Sequence, residues 1–476
     1  MDSKVILKEI KKTDPQFDVT LESVILDTYE VTPDPQTRSI DIRNCTFRKG
    51  LKISGVTKGA RLFIENCTFE HHNGIKIENS CFMSVYIKNS SLIDSKDGEL
   101  GLDILSRIVS QTVQVIDSYI CNLFIQNINI NLEVLNSRIK SKLDYFPSGL
   151  AGDERSSAFF DNVVFESTAI RLGGTPLNEV KFNNINTDKN SSNRCNMLEI
   201  KQDFILDLVF HNANFTDTYI DLENIIIRNI KATASTLGSN LNFYIGNIKD
   251  EQDRKVNSIV INECSIGKSY FQGRIIHNSI EFDKTNFLTP PEFYNAEIPQ
   301  GSIFPDSSYF KTSGSDSSIS AFRALRLHME EQRNRELEGE FFYLEQQSLL
   351  QKEKNNGQRN MFRYFYGAIS DFGNNAFKPL FILLLSTLLF TVVYALWLSP
   401  KISIYLPIDF ELLSKSLHFS TKQMTLPFWS VRNLTPLMGK EVLTHSIVYI
   451  AILQSLISLA CIALSILAIR WRFKRG

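Results

Sequence analysis

The 476-residue chain carries none of the short motifs that usually make catalytic chemistry legible: no P-loop, no Gly-x-Ser-x-Gly elbow, no His-Glu-x-x-His and no Cys-x-x-Cys pair. The expectation is therefore a non-enzyme without cofactor or metal. Net charge is also missing. The 51 Lys and Arg set against 52 Asp and Glu leave −1, which removes the electrostatic argument for nucleic acid as a partner. The seven cysteines are neither paired nor clustered, and Cys45, Cys67 and Cys264 recur at one position of a repeat. That pattern predicts buried free thiols acting as small hydrophobes in a reducing compartment, rather than disulfides or metal ligands. The only neighbouring histidines, His71 and His72, suit an exposed corner better than a metal site. The opening MDSKVILKEIKKTD has no apolar run of the signal-peptide kind, which predicts that this part of the chain stays in the cytoplasm.

What is present is repetition, and repetition at a short period names an architecture before any single residue is interpreted. IDIRNCTF (40–47), LFIENCTF (62–69), IKIENSCF (75–82) and VYIKNSSL (85–92) share one phrase. VQVIDSYI (113–120), AFFDNVVF (158–165), LVFHNANF (208–215) and IVINECSI (259–266) vary it. Large apolar side chains recur every five residues, as at Ile77, Phe82, Ile87 and Leu92, and again at Ile261, Ile266, Phe271 and Ile276. A small residue often stands two positions earlier: Cys45, Cys67, Ser80, Ser90, Ser118, Ala213 or Cys264. A helix repeats at 3.6 and a half-buried strand at 2. A period of five fits a chain that turns a corner at each repeat, with the large residue inward and the small one beside it. Four such sides make a coil of roughly 20 residues, and coils stacked about 4.8 Å apart predict a mainly β, right-handed solenoid over 39–290, behind an N-terminal cap at 1–38.

The residues that carry this period resemble the pentapeptide-repeat family, whose pattern is a small residue, Asn or Asp, a large apolar residue and two variable ones. The resemblance implies a right-handed β-helix. The repeats are degenerate here: Asn44, Asn66, Asn79, Asn89, Asn162 and Asn212 precede the small residue, where the family pattern puts Asn after it. The register breaks at 96–110, 145–157 and 187–197, which read as loops thrown out from the coils. A looser β-helix with Asn at its corners is the competing architecture. Asn suits a corner in either case, since it tolerates the left-handed backbone region.

Beyond a linker at 291–317 the period becomes helical. Phe322, Leu325, Met329, Leu337, Phe341 and Leu344 share a broad face of an amphipathic connector at 318–356. This stretch resembles the connector of membrane-anchored pentapeptide proteins and of two-span, channel-like relatives. An equal reading is a charged helix capping the open end of the solenoid, whose last coil has an unpaired edge. The juxtamembrane segment 357–376 mixes rings with cations, Arg359, Arg363, Tyr364 and Tyr366 among them, as the lipid headgroup layer selects. Segments 377–398 and 446–469 hold uncharged runs long enough to span a bilayer. The basic tail 470–476, with Arg470 and Arg472, contrasts with the loop 399–445, where Asp409, Glu411 and Glu441 offset the cations. Positive-inside reasoning places both termini and the solenoid in the cytoplasm, on an inner (plasma) membrane.

In the second span Ala451, Gln454, Ser458, Cys461, Ser465 and Ala468 form a single seam of small or polar residues at 3-4-3-4-3 spacing. A neighbouring helix selects such a seam, because small residues allow close approach and Gln or Ser bonds across; pore lining is the alternative. In the loop, LLSKSLHFST reads as a pore helix, but no Gly-Tyr-Gly follows, which disfavours potassium and leaves a nonselective or anion pore. Three functions are compatible with this pattern. The first is a cytosolic β-helix serving as sensor or oligomerisation platform for a homo-oligomeric two-helix pore, suited to a bacterial stress or phage-defence effector. The second is a membrane-tethered scaffold that recruits a protein through the β-helix face or loops. The third, a β-helix enzyme, lacks a stacked acid cluster.

Overall fold

The computed structural model describes residues 18–26, 29–31, 37–56, 59–70, 74–78, 80, 82–92, 101–105, 112–126, 131–147, 156–166, 168–174, 176–188, 196–202, 204–246, 248–357, 360–398, 410–425 and 445–475. The chain divides into two compact units, Met1–Lys311 and Thr312–Gly476.

The first unit is strand-rich, and its strands lie in long parallel sheets. One sheet has twelve strands, from Asp18–Glu22 through Ser39–Arg43 and Ala60–Glu65 to Ile275–Glu281. Between successive visits to this sheet the chain joins the other, as at Thr46–Phe47 and Leu51–Ser54. Ile40, Leu62, Val85, Val113, Leu132, Ala158, Val180, Leu208, Ile230, Ile259 and Ile280 form one buried column, their spacing varying between 19 and 29 residues. Within a strand, burial alternates with the period of two expected of a pleat, as in Ser156–Asp161. Each strand thus obeys ordinary pleat alternation, while the left-handed corners at Asn44, Asn66 and Asn89 recur once per repeat.

The corner explains the order of the repeat. Asn44, Asn66, Asn89, Asn136, Asn162, Asn184 and Asn212 all have φ between 46° and 56°, a left-handed conformation that costs most residues about 1–2 kcal/mol and Asn less. Their amides also bond from repeat to repeat: Asn66 Nδ2 donates to Asn44 Oδ1 (3.1 Å), Asn89 to Asn66 (2.7 Å), Asn162 to Asn136 (2.9 Å) and Asn212 to Asn184 (2.9 Å). Where the next residue is serine, it closes the corner's hydrogen bonds; Val163, Ile185 and Ala213 take the same position as buried apolar side chains. Ser90, Ser118 and Ser137 each donate to the carbonyl two residues back, at 2.9, 2.7 and 2.7 Å. Each hydroxyl also accepts the backbone N–H of Cys67, Ser90 or Ser118 in the preceding repeat, at 3.2, 3.2 and 3.1 Å. Asn therefore precedes the small residue because Asn takes the turn, and a serine after it pairs the amides that the turn exposes.

The core beside these corners is aromatic and aliphatic. Phe160, Phe182 and Phe210 stack with ring centroids 5.0 and 5.4 Å apart. One cation sits among them: Arg274 is fully buried and donates to the carbonyls of Ile225 (2.6 Å), Phe243 (3.2 Å) and Leu222 (3.3 Å), with its guanidinium 4.0 Å over the Phe243 ring. Burial pushes its pKa down to about 9, so it stays charged at neutral pH. Cys45, Cys67, Cys121 and Cys264 are buried and form no disulfide among the described residues, and burial pushes the Cys264 thiol up to about 11. His71, His72, Cys81 and Cys195 lie outside the described residues.

The ladder extends past both ends of the region 39–290. Asp18–Glu22 already pairs with Ser39–Arg43, and Phe287 bridges to Phe310. Parts of the N-terminal cap and of the linker thus belong to the sheets, since the backbone pairs even where the phrase is not recognisable.

The second unit is helical: α1 Asp316–Glu331, α2 Arg335–Asn355, α3 Met361–Ser370, α4 Phe377–Leu398, α5 Phe410–Thr425 and α6 His445–Arg475. The connector is a hairpin rather than one helix. Arg333 takes φ 59°, and Asn334 caps α2 by accepting from Leu337 N at 3.3 Å. Apolar spacing continues through the break, which hid it. Between α1 and α2, the buried Glu345 accepts from Arg323 Nε (2.8 Å) and Arg326 Nε (3.0 Å). Phe377–Trp397 and Ile447–Arg470, each of mean hydropathy 2.4, are long and apolar enough to cross a membrane.

The corner geometry is testable on the full chain in detergent. Asn66→Ala loses both the tolerance of positive φ and the amide ladder, and is expected to destabilise by about 1–3 kcal/mol. Asn66→Gly loses only the ladder and should cost less. Equal unfolding midpoints for the two variants would show that the left-handed corner is not what selects Asn.

Candidate functional site

Thr387 stands at the middle of the first apolar helix, ten residues from Trp397, or about 15 Å at 1.5 Å per residue. Its hydroxyl donates to Leu383 O (2.9 Å), and its own carbonyl accepts from Thr391 Oγ1 (2.8 Å) and from Ser420 Oγ of α5 (2.8 Å). From α6, Gln454 Nε2 donates to Ser420 O (3.1 Å) and Ser420 Oγ (2.8 Å), while Gln454 Oε1 accepts the Tyr394 hydroxyl (2.9 Å). Ser455 Oγ donates to Gln423 Oε1 at 2.9 Å. Tyr394, Ser420, Gln423, Gln454 and Ser455 are buried, sealed by Phe390, Phe419, Ile447 and Ala451. The Tyr394 and Phe419 rings meet edge to face at 4.9 Å. Polar side chains tie three helices together where each lone hydrogen bond is worth about 0.6 kcal/mol in a bilayer, so the set acts through its number.

The path of α5 follows from these contacts. Phe419 meets Tyr394, whereas five residues later Met424 Sδ accepts from Thr387 Oγ1 (3.2 Å), about two turns back along α4. Helix α5 thus runs antiparallel to α4, and its last described turn is level with the middle of that helix. One face, Ser416, Phe419, Ser420 and Gln423, is buried. The outward side carries Ser414, His418, Thr421 and Thr425 at 4-3-4 spacing, together with the exposed apolar side chains Phe410 and Leu417. Thr421 and Thr425 hydroxyls donate back to Leu417 O (2.8 Å) and Thr421 O (3.1 Å). Lys415 pairs with Glu411 at 2.7 Å, and Lys422 is half-buried in the last turn.

The seam of α6 faces this site within the same chain. Ala451, Gln454, Ser458, Cys461, Ser465 and Ala468 are all buried within the single chain. Ser465 Oγ bonds to Cys461 O at 2.8 Å, while Ser458 Oγ, Gln423 Nε2 and Ser416 Oγ are buried without a partner. Sequence reasoning missed Thr387, Tyr394, Ser416, Ser420 and Gln423. The 4-3 spacing of Ser416, Ser420 and Gln423, in and just after LLSKSLHFST, was the available signal, but nothing marked which face of that helix is inward.

The membrane-interface residues separate. Arg363 pairs with Glu353, Tyr364 is exposed, and Tyr366 packs edge-on against Phe372 at 5.6 Å. Asn360 caps α3 by accepting from Phe362 N (3.1 Å) and Arg363 N (3.3 Å), and the helix presents Met361, Phe362, Tyr364 and Phe365 outward. Arg470 is exposed near the end of α6. Arg359, the Arg472 side chain and the loop 426–439 lie outside the described residues. Among the described residues no cluster of His, Cys, Asp or Glu is fit to hold a metal. Compared with known protein families, curated proteins and solved structures, the chain matches none.

Gln454→Leu orphans the Tyr394 hydroxyl and removes both bonds to Ser420, and is expected to destabilise the helical unit by about 1–3 kcal/mol. Leu453→Ala, one residue away on an exposed face, should leave the thermal midpoint in detergent nearly unchanged. The same midpoint for both variants would detach Gln454 from the packing of α5.

Proposed function

We propose that the chain is an integral protein of the inner (plasma) membrane that assembles as a homo-oligomer around an ion-conducting pore. Its first unit is then a right-handed β-solenoid of the pentapeptide-repeat kind, serving on the cytoplasmic side as sensor or oligomerisation platform. The solenoid is supported by parallel pairing repeat after repeat and by left-handed corners at one position of every repeat. The orientation is supported by the basic tail Arg470, Arg472, Lys474 and Arg475, and the aromatic outer face of α3 suits a lipid headgroup layer.

The observation that carries the pore is α5. The described residues of this helix carry a polar surface to a level near the middle of the first apolar helix. Its exposed face carries His418, Thr421 and Thr425, with Lys422 at the edge. Polar side chains turned to lipid at that depth are costly. Several copies arranged around an axis turn that face to a shared aqueous path instead. The tethered scaffold is the weaker reading, because an anchor has no use for a polar half-helix at mid-depth. Gating of such a pore by a signal on the solenoid suits an effector that depolarises the membrane, as in stress or phage defence.

The full chain reconstituted in liposomes is expected to release an ion gradient. Thr421→Cys should make that release sensitive to a water-soluble methanethiosulfonate reagent, while buried Ser420→Cys should not. Liposomes that hold their gradient with the protein inserted and oligomeric would leave the scaffold reading in its place.

A further inference from the structure

We propose that the turn between α3 and α4 is a strained latch by which the connector hairpin α1–α2 controls the first apolar span. Asp371, Phe372 and Gly373 take φ of 47°, 57° and 88° in succession. Glycine enters that region freely and Asp at small cost, but a bulky side chain there is an outlier. Among the described residues Phe372 is the only aromatic at positive φ. Such a conformation persists only where its surroundings over-determine it, and it gathers at switch regions.

The contacts that hold the turn come from three helices. In α3 the buried Ser370 accepts from Gly373 N through its hydroxyl (3.2 Å) and from Asn375 N through its carbonyl (3.3 Å). From the first turn of α4, Lys378 Nζ bonds to Asp371 Oδ1 at 2.6 Å. Helix α2 supplies the rest. Asn374 Nδ2 donates to Gly339 O at 3.2 Å, and the buried Phe372 ring lies 6.2 Å from that of Tyr343. On its α3 side the ring meets Tyr366 edge-on at 5.6 Å and sits so close to Gly367 that a Cβ there would come within 2.6 Å of Phe372 Cζ. The ring also borders a cavity of about 130 Å³ walled by Arg326, Glu338 and Phe342 of the hairpin, and on that side it has no packed neighbour to hold it. Movement of α2 away from the turn therefore removes the contacts of Gly339 and Tyr343 together, and the strain then drives the turn to relax. Sites are coupled through an element with two discrete arrangements that each of them biases; this turn, between hairpin and span, is such an element. The latch is a property of the helical unit, and its effect on ion flow rests on the pore reading above.

The closing experiment uses the full chain, in detergent for hydrogen exchange and in liposomes for ion release. Tyr343→Ala removes the contact from α2, and Gly367→Ala drives a methyl group into the seat of the ring. Both are expected to speed amide exchange across residues 371–378 by about tenfold, while Leu327→Ala on the exposed side of α1 leaves it at the wild-type rate. The structure holds the latched form, so both latch variants should also release ions faster than the wild type. Wild-type exchange at the turn in both variants, eluting as the wild type does, overturns the latch. Faster exchange with release unchanged or slowed overturns its control of the span. Liposomes that stay sealed with the wild type and with every variant remove the pore reading, and exchange alone then decides the latch.

Discussion

Backbone amides and carbonyls withdrawn from water must find partners, and both units of this protein are organised by where those partners come from. In the β unit the parallel ladders satisfy the sides of each repeat and leave the corners. There Asn44, Asn66 and Asn89 take the left-handed turn, and Ser90, Ser118 and Ser137 collect the amides that the turn exposes. In the helical unit the same demand appears at mid-helix, where Thr387 O accepts from both Thr391 and Ser420. Without those acceptors and donors, neither the corners nor the seat of α5 would be cheap enough to keep.

The two buried polar arrangements differ in what they do. The Asn and Ser columns repeat and are nearly saturated, so they add rigidity. Arg274 is an exception within that unit: a lone buried cation held by the carbonyls of Leu222, Ile225 and Phe243. It stitches separate repeats through backbone rather than through a carboxylate, which spares the core a second buried charge. The cluster around Gln454 is not repeated and not saturated, for Ser416, Gln423 and Ser458 each keep an unpaired buried atom. A half-satisfied network at mid-depth is where function and strain gather.

Much of the β unit was legible as a sequence. The Asn-Cys/Ser phrase and the five-residue spacing pointed to parallel repeats, because turning corners demands particular residues at particular places. The ends of the ladder were not legible, since Asp18–Glu22 and Phe310 pair through backbone atoms that any residue supplies. The break at Arg333 was hidden for a related reason: apolar spacing runs on across it, and only the packing of α2 on α1 shows the turn. Of the candidate site, the seam of α6 was visible and its partner was not. The notation Ala451-Gln454-Ser458 says that something approaches closely, but not that α5 of the same chain is what does so.

What the sequence alone determined is therefore local and periodic: repeat and corner chemistry, two apolar runs of membrane-crossing length, a small-residue seam, and near-zero net charge. These survive translation into structure because each is set by neighbours a few residues away. Only the tertiary structure decided that α5 turns back between α4 and α6, that Thr387, Ser420 and Gln454 converge, and that Ser414, His418, Thr421 and Thr425 face outward while Lys422 stands level with the middle of α4. Those contacts join residues more than thirty positions apart. No local preference encodes them, because which face of an amphipathic helix turns inward depends on the shape and polarity of the surface it meets.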